Sequence, residues 1–220
     1  TTMIIATTFG LAFGAIQQNP QILSGHVQLK AEVKAAQDAV TAAAKEKGEE
    51  PTPKALNQAK GNASDKVTGN VQSWQEIGGL AGRLLLAWLA VQIVSRRALF
   101  RIFQIPSLIF VPALYWWLSK NLDTPGSLET FKYAIFVAGA LVVGQMSFWG
   151  NYIPRVFPVH LRGTGESFAA NIGGRVLGTA AAWLTITFSE AKPPDPAKIA
   201  TVSAIVAGCY AIVGFLLTSF

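Results

Sequence analysis

Arg83 and Arg175 each lie inside an apolar, glycine-rich stretch of the sequence. Arg83 follows the run Gly78-Gly79-Leu80-Ala81-Gly82, and Arg175 follows Gly173-Gly174. An arginine at membrane depth is unfavourable by about 2.5–3.5 kcal/mol on insertion scales, and it usually faces a bundle interior or an aqueous cavity. A guanidinium group there binds carboxylates or phosphates. The pair therefore predicts a central cavity that binds an anionic or strongly polar solute.

The alternative is that both arginines have structural partners. Glu76 and Glu166 are the nearby acids, and groups outside this chain are further candidates. Glu76 lies two helical turns from Arg83, which is too distant for a tight contact along one helix. Both interpretations stay open at the level of sequence.

Other polar residues in the apolar runs are further candidates for substrate binding. Gln17, Gln18 and Asn19 end the first run, and their amides either bind a solute or bond to the helix end and a neighbouring helix. The remaining candidates are Gln145, Trp149 and Asn171, the last of which lies one turn from Arg175.

The sequence contains no constellation typical of an enzyme. His26 and His160 lie in different loops, no metal-ligand spacing is present, and no nucleophile has a neighbouring base. We expect no catalysis, no cofactor and no metal. We also expect no nucleic-acid binding, because the lysines alternate with acids and the arginines flank apolar runs.

The composition indicates an all-α membrane protein. Of 220 residues, 51% are hydrophobic and 14% are charged, and most of the charges lie outside the apolar runs. Six runs of about 20 residues are each long enough, at about 1.5 Å per residue, to cross a hydrocarbon core of about 30 Å. The predicted transmembrane helices are Met3–Leu23, Trp74–Ser95, Leu99–Ser119, Phe131–Gly150, Gly165–Phe188 and Ile199–Phe220.

Charge predicts the orientation of these helices. Two short connections carry arginine, and the other three, at 24–73, 119–132 and 189–198, hold every lysine. Short loops rich in Lys and Arg stay in the cytoplasm, whereas long loops cross regardless of charge. We therefore expect a multi-pass protein of the plasma (inner) membrane with both ends of this fragment in the cytoplasm. Thr1 leads directly into an apolar run, so we expect sequence upstream of it.

The segment 24–73 is predicted to be an extracytoplasmic insertion with short helices. Val27–Lys47 has helical spacing, the run from Glu49 to Pro53 breaks it, and Ala55–Lys60 forms a second short helix. A solvated loop and a dedicated binding lid are the two interpretations of this segment.

Two features of the helices predict how they pack. Arg83 lies 13 residues before Arg96, and Arg175 lies 13 residues after Arg162, so each is about 20 Å from the same boundary on helices of opposite direction. This predicts a 3+3 inverted repeat. Glycines four residues apart, at 10 and 14, 78 and 82, and 174 and 178, predict close helix packing. Tyr115-Trp116-Trp117 is either an aromatic belt at the interface or a ligand cage.

The stretch 151–165, NYIPRVFPVHLRGTG, resembles the loop between helices ten and eleven of major facilitator superfamily transporters, among them the sugar porters and metabolite:proton symporters. The matching residues are Phe157, Pro158, Arg162, Gly163 and Gly165, while Arg155 stands where that family has an acid. Gln17-Gln18 is similar to a glutamine pair in helix seven of sugar porters. Gly79 to Arg97 resembles the end of helix eight and its Arg-Arg turn.

The resemblance implies that residues 1–220 form the C-terminal, six-helix half of a twelve-helix secondary transporter. Such a protein moves a small polar or anionic metabolite by alternating access, typically coupled to protons, and its partner is the missing N-terminal half. The implied cytoplasmic gate consists of Arg96, Arg97, Arg155, Arg162 and Glu166. Glu166 is interpreted as part of the gate, as half of an ion pair, or as a proton carrier. The alternative function is a non-transporting membrane scaffold or sensor on the same fold.

Overall fold

The computed structural model describes residues 2–46 and 50–219, and these ranges contain helices and turns but no strand. Phe220, at the end of the sixth predicted span, lies outside the described residues, as do Lys47 and Glu49 in the predicted insertion. The α-helices are α1 Thr2–Gly14, α2 Asn19–Leu23, α3 Val27–Glu46, α4 Pro53–Gln92, α5 Arg96–Asn121, α6 Ser127–Val156, α7 Arg162–Phe168, α8 Ala180–Ser189 and α9 Pro196–Ser219. Short 3-10 turns cover Ile16–Gln18 and Val159–Leu161, and a π-helical segment covers Ala169–Gly178.

Three helices of the described chain are long and apolar enough to cross a membrane. They are α5, the Ser127–Gly150 part of α6, and α9. The other predicted spans are helical but divided or extended: the first is shared by α1 and α2, the second is the end of α4, and the fifth comprises α7, the π segment and α8. An all-helical membrane protein is therefore supported, while six crossings stay a prediction.

Helix α4 differs from its predicted form. The short helix expected at Ala55–Lys60 is instead the beginning of one helix of 40 residues. At about 1.5 Å per residue it is about 60 Å long, about twice the thickness of a hydrocarbon core. Its first half packs against α3. The insertion is therefore a helical hairpin that continues directly into the predicted second span.

The bundle is built around α1 and α6, each of which contacts several other helices. Helix α4 packs along α6, while α1 contacts the π segment, α8 and α9. Helix α5 packs against both α6 and α9. These contacts place the two central helices between pairs of outer helices.

Glycines lie at the tightest of these helix contacts, as their spacing predicted. A side chain at Gly78 would meet the backbone of Phe136, and one at Gly82 would meet the backbone of Ala140. Gly178 similarly faces Phe9 of α1. Because glycine has no Cβ, the α4 and α6 backbones lie directly against each other.

The aromatic cluster of α5 is divided between the core and the surface. The hydroxyl of Tyr115, which is completely buried, donates to Oδ1 of Asn19 at 2.7 Å. Trp116 is exposed, and the ammonium of Lys120 lies 5.2 Å from the centre of its ring. The interface-belt prediction is therefore wrong for Tyr115, which joins α5 to α2.

The arginine-bearing connections, the start of α1 and the end of α9 meet at one end of the bundle. Ile4, Arg96 and Leu217 line the same cavity. Nη2 of Arg101 donates to the carbonyl of Thr218 at 2.9 Å, and its guanidinium carbon lies 5.8 Å from the centre of the Phe215 ring. The segregation of charge in the sequence thus becomes an arginine-rich end of the fold.

At the opposite end of the bundle, His26 links two helices by hydrogen bonds. The backbone amide of Gln28 donates to Nδ1 of His26 at 3.1 Å, so Nε2 carries the proton and donates to Oγ of Ser127 at 2.8 Å. Burial lowers the pKa of His26, with Asp123 acting against this effect and Lys30 adding to it. The neutral ring therefore joins the start of α3 to the start of α6.

Candidate functional site

Arg83 and Arg175 occupy similar positions on two outer helices. Gly82, directly before Arg83, packs against α6, and Gly174, directly before Arg175, packs against Phe9 of α1. Both arginine side chains are consequently exposed on the far side of their helices. Since α4 and the π segment pack on different central helices, the two arginines lie on separate flanks of the bundle.

Neither arginine has an ion-pair partner among residues 2–46 and 50–219. The two ion pairs found in these ranges are Glu32–Lys66 at 3.8 Å and Glu129–Lys132 at 2.6 Å. The alternative pairings with Glu76 and Glu166 are therefore not formed.

The surroundings of Arg83 and Arg175 are apolar. On α4, Leu84 and Trp88 are 64% and 61% exposed. On the other flank, Val176 and Trp183 are 58% and 64% exposed. Each guanidinium therefore lies on a broad hydrophobic face that has no covering element in the described chain.

Arg175 and Asn171 both lie in the π-helical segment. A π-helix closes its hydrogen bonds over five residues and is frequently found at functional sites. Nδ2 of Asn171 donates to the carbonyl and to Oγ of Ser167, at 2.8 and 3.1 Å, so its amide stabilises the preceding turn. Both side chains are exposed.

The three amide side chains at the end of the first predicted span differ in how far they are buried. Gln17 is exposed, whereas Gln18 and Asn19 are buried. Nε2 of Gln18 donates to the carbonyl of Phe13 at 3.0 Å, and Asn19 accepts the bond from Tyr115. The structure thus gives the two buried amides contacts within the bundle, in agreement with the helix-end interpretation.

Gln145 belongs to a chain of buried hydrogen bonds between α6, α5 and α9. Its Nε2 donates to Oγ of Ser107 at 2.9 Å, and that hydroxyl donates to the carbonyl of Gln104. Oγ1 of Thr218 donates to Oε1 of Gln104 at 2.8 Å. The adjoining cavity of about 10 Å³ is at the lower limit for a single water. Gln145 therefore joins helices rather than lining a solute-sized space.

The gate candidates lie at the arginine-rich end. Arg96, Arg97, Arg155 and Arg162 are exposed, and Glu166 is half-buried. Nε of Arg162 approaches the carbonyl of Phe157 at 3.4 Å. Glu166 makes no ion pair in the part of the chain that is described, so its role in a gate stays a prediction.

Two cavities open beside these arginines, with volumes of about 140 and 350 Å³. They share Arg96, Phe148 and Tyr152, and together we call them the arginine crevice. Arg97 and Trp149 line the smaller cavity and Arg155 the larger.

An aromatic cluster forms one wall of the arginine crevice. The Phe148 and Tyr152 rings stack with centroids 5.2 Å apart, and Phe100 lies 5.0 Å from Trp149. Sequence reasoning missed this cluster, apart from Trp149. The available signal was the spacing of Phe148 and Tyr152, which are four residues apart on a helix that ends beside Arg155.

Comparison of this chain with protein-family models, with curated proteins and with solved structures finds no match.

Proposed function

We propose that this chain forms half of a secondary active transporter of the major facilitator type, which moves a small polar or anionic metabolite by alternating access. Arg83 and Arg175 carry the proposal. An arginine that faces lipid at mid-helix is unfavourable, so each requires water or polypeptide against its exposed face. A second six-helix unit facing α4 and the α7–α8 region would provide polypeptide against these faces, and a solute path between the two units would provide water.

The pairing of helices supports a 3+3 repeat. In such a repeat the first, second and third predicted spans correspond to the fourth, fifth and sixth. When each span is replaced by its counterpart, the α4–α6 contact becomes the contact of α1 with the π segment and α8. The same exchange converts α1–α9 into α5–α6, and it returns α5–α9 and α1–α6 to themselves. A pseudo-two-fold axis in the membrane plane has this property, and it is the symmetry of inverted repeats in transporters.

The alternative function is a scaffold or sensor that does not transport. The α3–α4 hairpin favours it, because the hairpin is well formed, highly charged and largely exposed. A cavity of about 400 Å³ at its base is lined by charges of both signs, which include Glu32, Lys66, Glu129 and Lys132. In this alternative the hairpin is the surface that binds a protein partner.

Flux measurements distinguish the two functions. The full-length protein is reconstituted in liposomes that contain a pH-sensitive dye, and succinate and glucose are the anionic and neutral probes. We expect saturable, proton-linked uptake of a probe. Arg83→Gln and Arg175→Gln should each lower this uptake at least tenfold, because each removes a cation from the solute path. Lys54→Gln removes an exposed charge from the hairpin and should leave uptake unchanged.

Two results would contradict the proposal. Uptake that persists at the wild-type rate in both arginine variants would exclude these residues from the path. Absence of uptake across a broader panel of anionic and neutral solutes, with wild-type protein that is folded and inserted, would favour the scaffold.

A further inference from the structure

We propose that the arginine crevice binds a phosphate-bearing ligand, either the headgroup of an anionic lipid or a free phosphate compound. This site lies at the arginine-rich end of the bundle, away from the exposed faces of Arg83 and Arg175. It does not depend on whether the protein transports.

The charged side chains among the described residues that line the crevice are of one sign. Arg96, Arg97 and Arg155 line it, and no carboxylate is found among its described lining residues. Arginine forms paired, charge-assisted hydrogen bonds with phosphate oxygens. The larger cavity thus has two guanidinium groups, those of Arg96 and Arg155, and these favour a phosphate over a neutral ligand.

The start of α5 strengthens this positive field. Arg96 and Arg97 are the first two residues of the helix, and its first turn contains no acidic residue. The amino end of a helix carries partial positive charge, so cations are unfavourable there and anions are stabilised. A phosphate in the crevice would relieve repulsion between Arg96 and the helix end.

Trp149 provides an independent indication of a missing acceptor. Its side chain is 5% exposed and lines the smaller cavity with Arg96. Its Nε1–H has no hydrogen-bond acceptor among the residues that the structure describes. Buried indole N–H groups usually have a partner. An oxygen of a phosphate bound at Arg96, which lines both cavities, would be a suitable acceptor after a small adjustment of the Trp149 ring.

The larger cavity is suited to an amphipathic ligand. Opposite its arginines lie apolar side chains of α4 and α5, namely Leu86, Ala90 and Leu99. A phosphate beside Arg96 and Arg155 would thus have an apolar surface next to it. Anionic lipids of the cytoplasmic leaflet bind basic pockets of membrane proteins in this way.

Binding measurements on the full chain test the site. Native mass spectrometry gives the affinity for phosphatidylglycerol, and calorimetry gives the affinity for inorganic phosphate. In Arg96→Gln/Arg155→Gln we expect at least tenfold weaker binding of the occupying probe. Lys34→Gln/Lys54→Gln removes the same charge from exposed positions of the hairpin and should change affinity less than twofold.

The two probes identify the source of the phosphate. Arginine-dependent binding of phosphatidylglycerol that inorganic phosphate does not displace indicates a lipid headgroup. Arginine-dependent binding of inorganic phosphate indicates a free phosphate compound.

Trp149→Phe keeps an aromatic ring and deletes the N–H, and it should weaken binding about threefold. If the double arginine variant does not fold, Trp149→Phe by itself tests whether the crevice binds phosphate. Wild-type affinity for both probes in the folded double variant, or in Trp149→Phe when that is the variant available, overturns the proposal. An equal loss in the lysine control also overturns it, because binding would then follow net charge alone.

Discussion

At the scale of single residues, burial decides which polar groups serve the fold and which remain for function. Tyr115 and Asn19 satisfy each other inside the bundle, whereas Arg83 and Arg175 have neither burial nor a partner in the described chain. A buried polar group without a partner costs free energy, so paired groups such as Tyr115 and Asn19 stabilise the folded state. The exposed arginines contribute nothing comparable to stability and are therefore better candidates for function.

Tyr115→Phe tests the contribution of the buried hydroxyl. The change leaves Oδ1 of Asn19 buried without its donor, and we expect a loss of about 1–3 kcal/mol in the free energy of unfolding. The measurement is reversible unfolding in mixed micelles. Tyr133→Phe is the matched control: Tyr133 is 62% exposed, and its ring contact with Trp74 is retained by phenylalanine. Equal stability of the two variants would show that the bond to Asn19 contributes little.

At the scale of helices, α4 has two parts with different packing. Its first half contains Gly61 and Gly69, where an added side chain would meet open space. Its second half contains Gly78 and Gly82, which face the α6 backbone. Glycine thus weakens the helix in the hairpin, whereas in the bundle it is required for close packing.

Glycine-to-alanine changes along α4 should have opposite effects. Gly78→Ala forces the α4 and α6 backbones apart and should destabilise the protein by about 1–3 kcal/mol, the usual effect of overpacking. Gly69→Ala adds a methyl group in open space and should stabilise the helix by about 0.5–1 kcal/mol. Thermal unfolding in detergent compares both variants with the wild type. Destabilisation by Gly69→Ala, or tolerance of Gly78→Ala, would contradict the packing described for α4.

At the scale of the whole molecule, the arginine-rich end and the hairpin end are opposite poles of one bundle. Arg101 joins α5 to the end of α9 at one pole, and His26 joins α3 to α6 at the other. Because cytoplasmic loops accumulate positive charge, the first pole should be intracellular.

Accessibility of introduced cysteines tests that orientation. Cys209, the single native cysteine, is first replaced by serine. In intact cells a membrane-impermeant maleimide should label Lys45→Cys on the hairpin, because this pole is expected outside. Val159→Cys, at a residue that is 76% exposed in the arginine-rich connection, should be labelled only after permeabilisation. The Cys209→Ser background should remain unlabelled. The opposite pattern would reverse the topology and place the arginine crevice outside the cell.

Local patterns in the sequence determined the helical class of this protein, the glycine contacts and the grouping of charges into two sets. These depend on residue type and spacing along one helix, so they can be recognised without knowledge of other helices. The continuation of the hairpin into α4 was not recognised, although Pro53 is compatible with a helix start and no later proline before Gln92 interrupts the helix. Only the tertiary structure decided which polar groups are buried together, as in the bonds of Asn19 to Tyr115 and of Gln145 to Ser107. It also decided that Phe148 and Tyr152 form the wall of a crevice beside Arg96. Such contacts join residues far apart in the chain, and their geometry follows from how whole helices pack rather than from any local pattern.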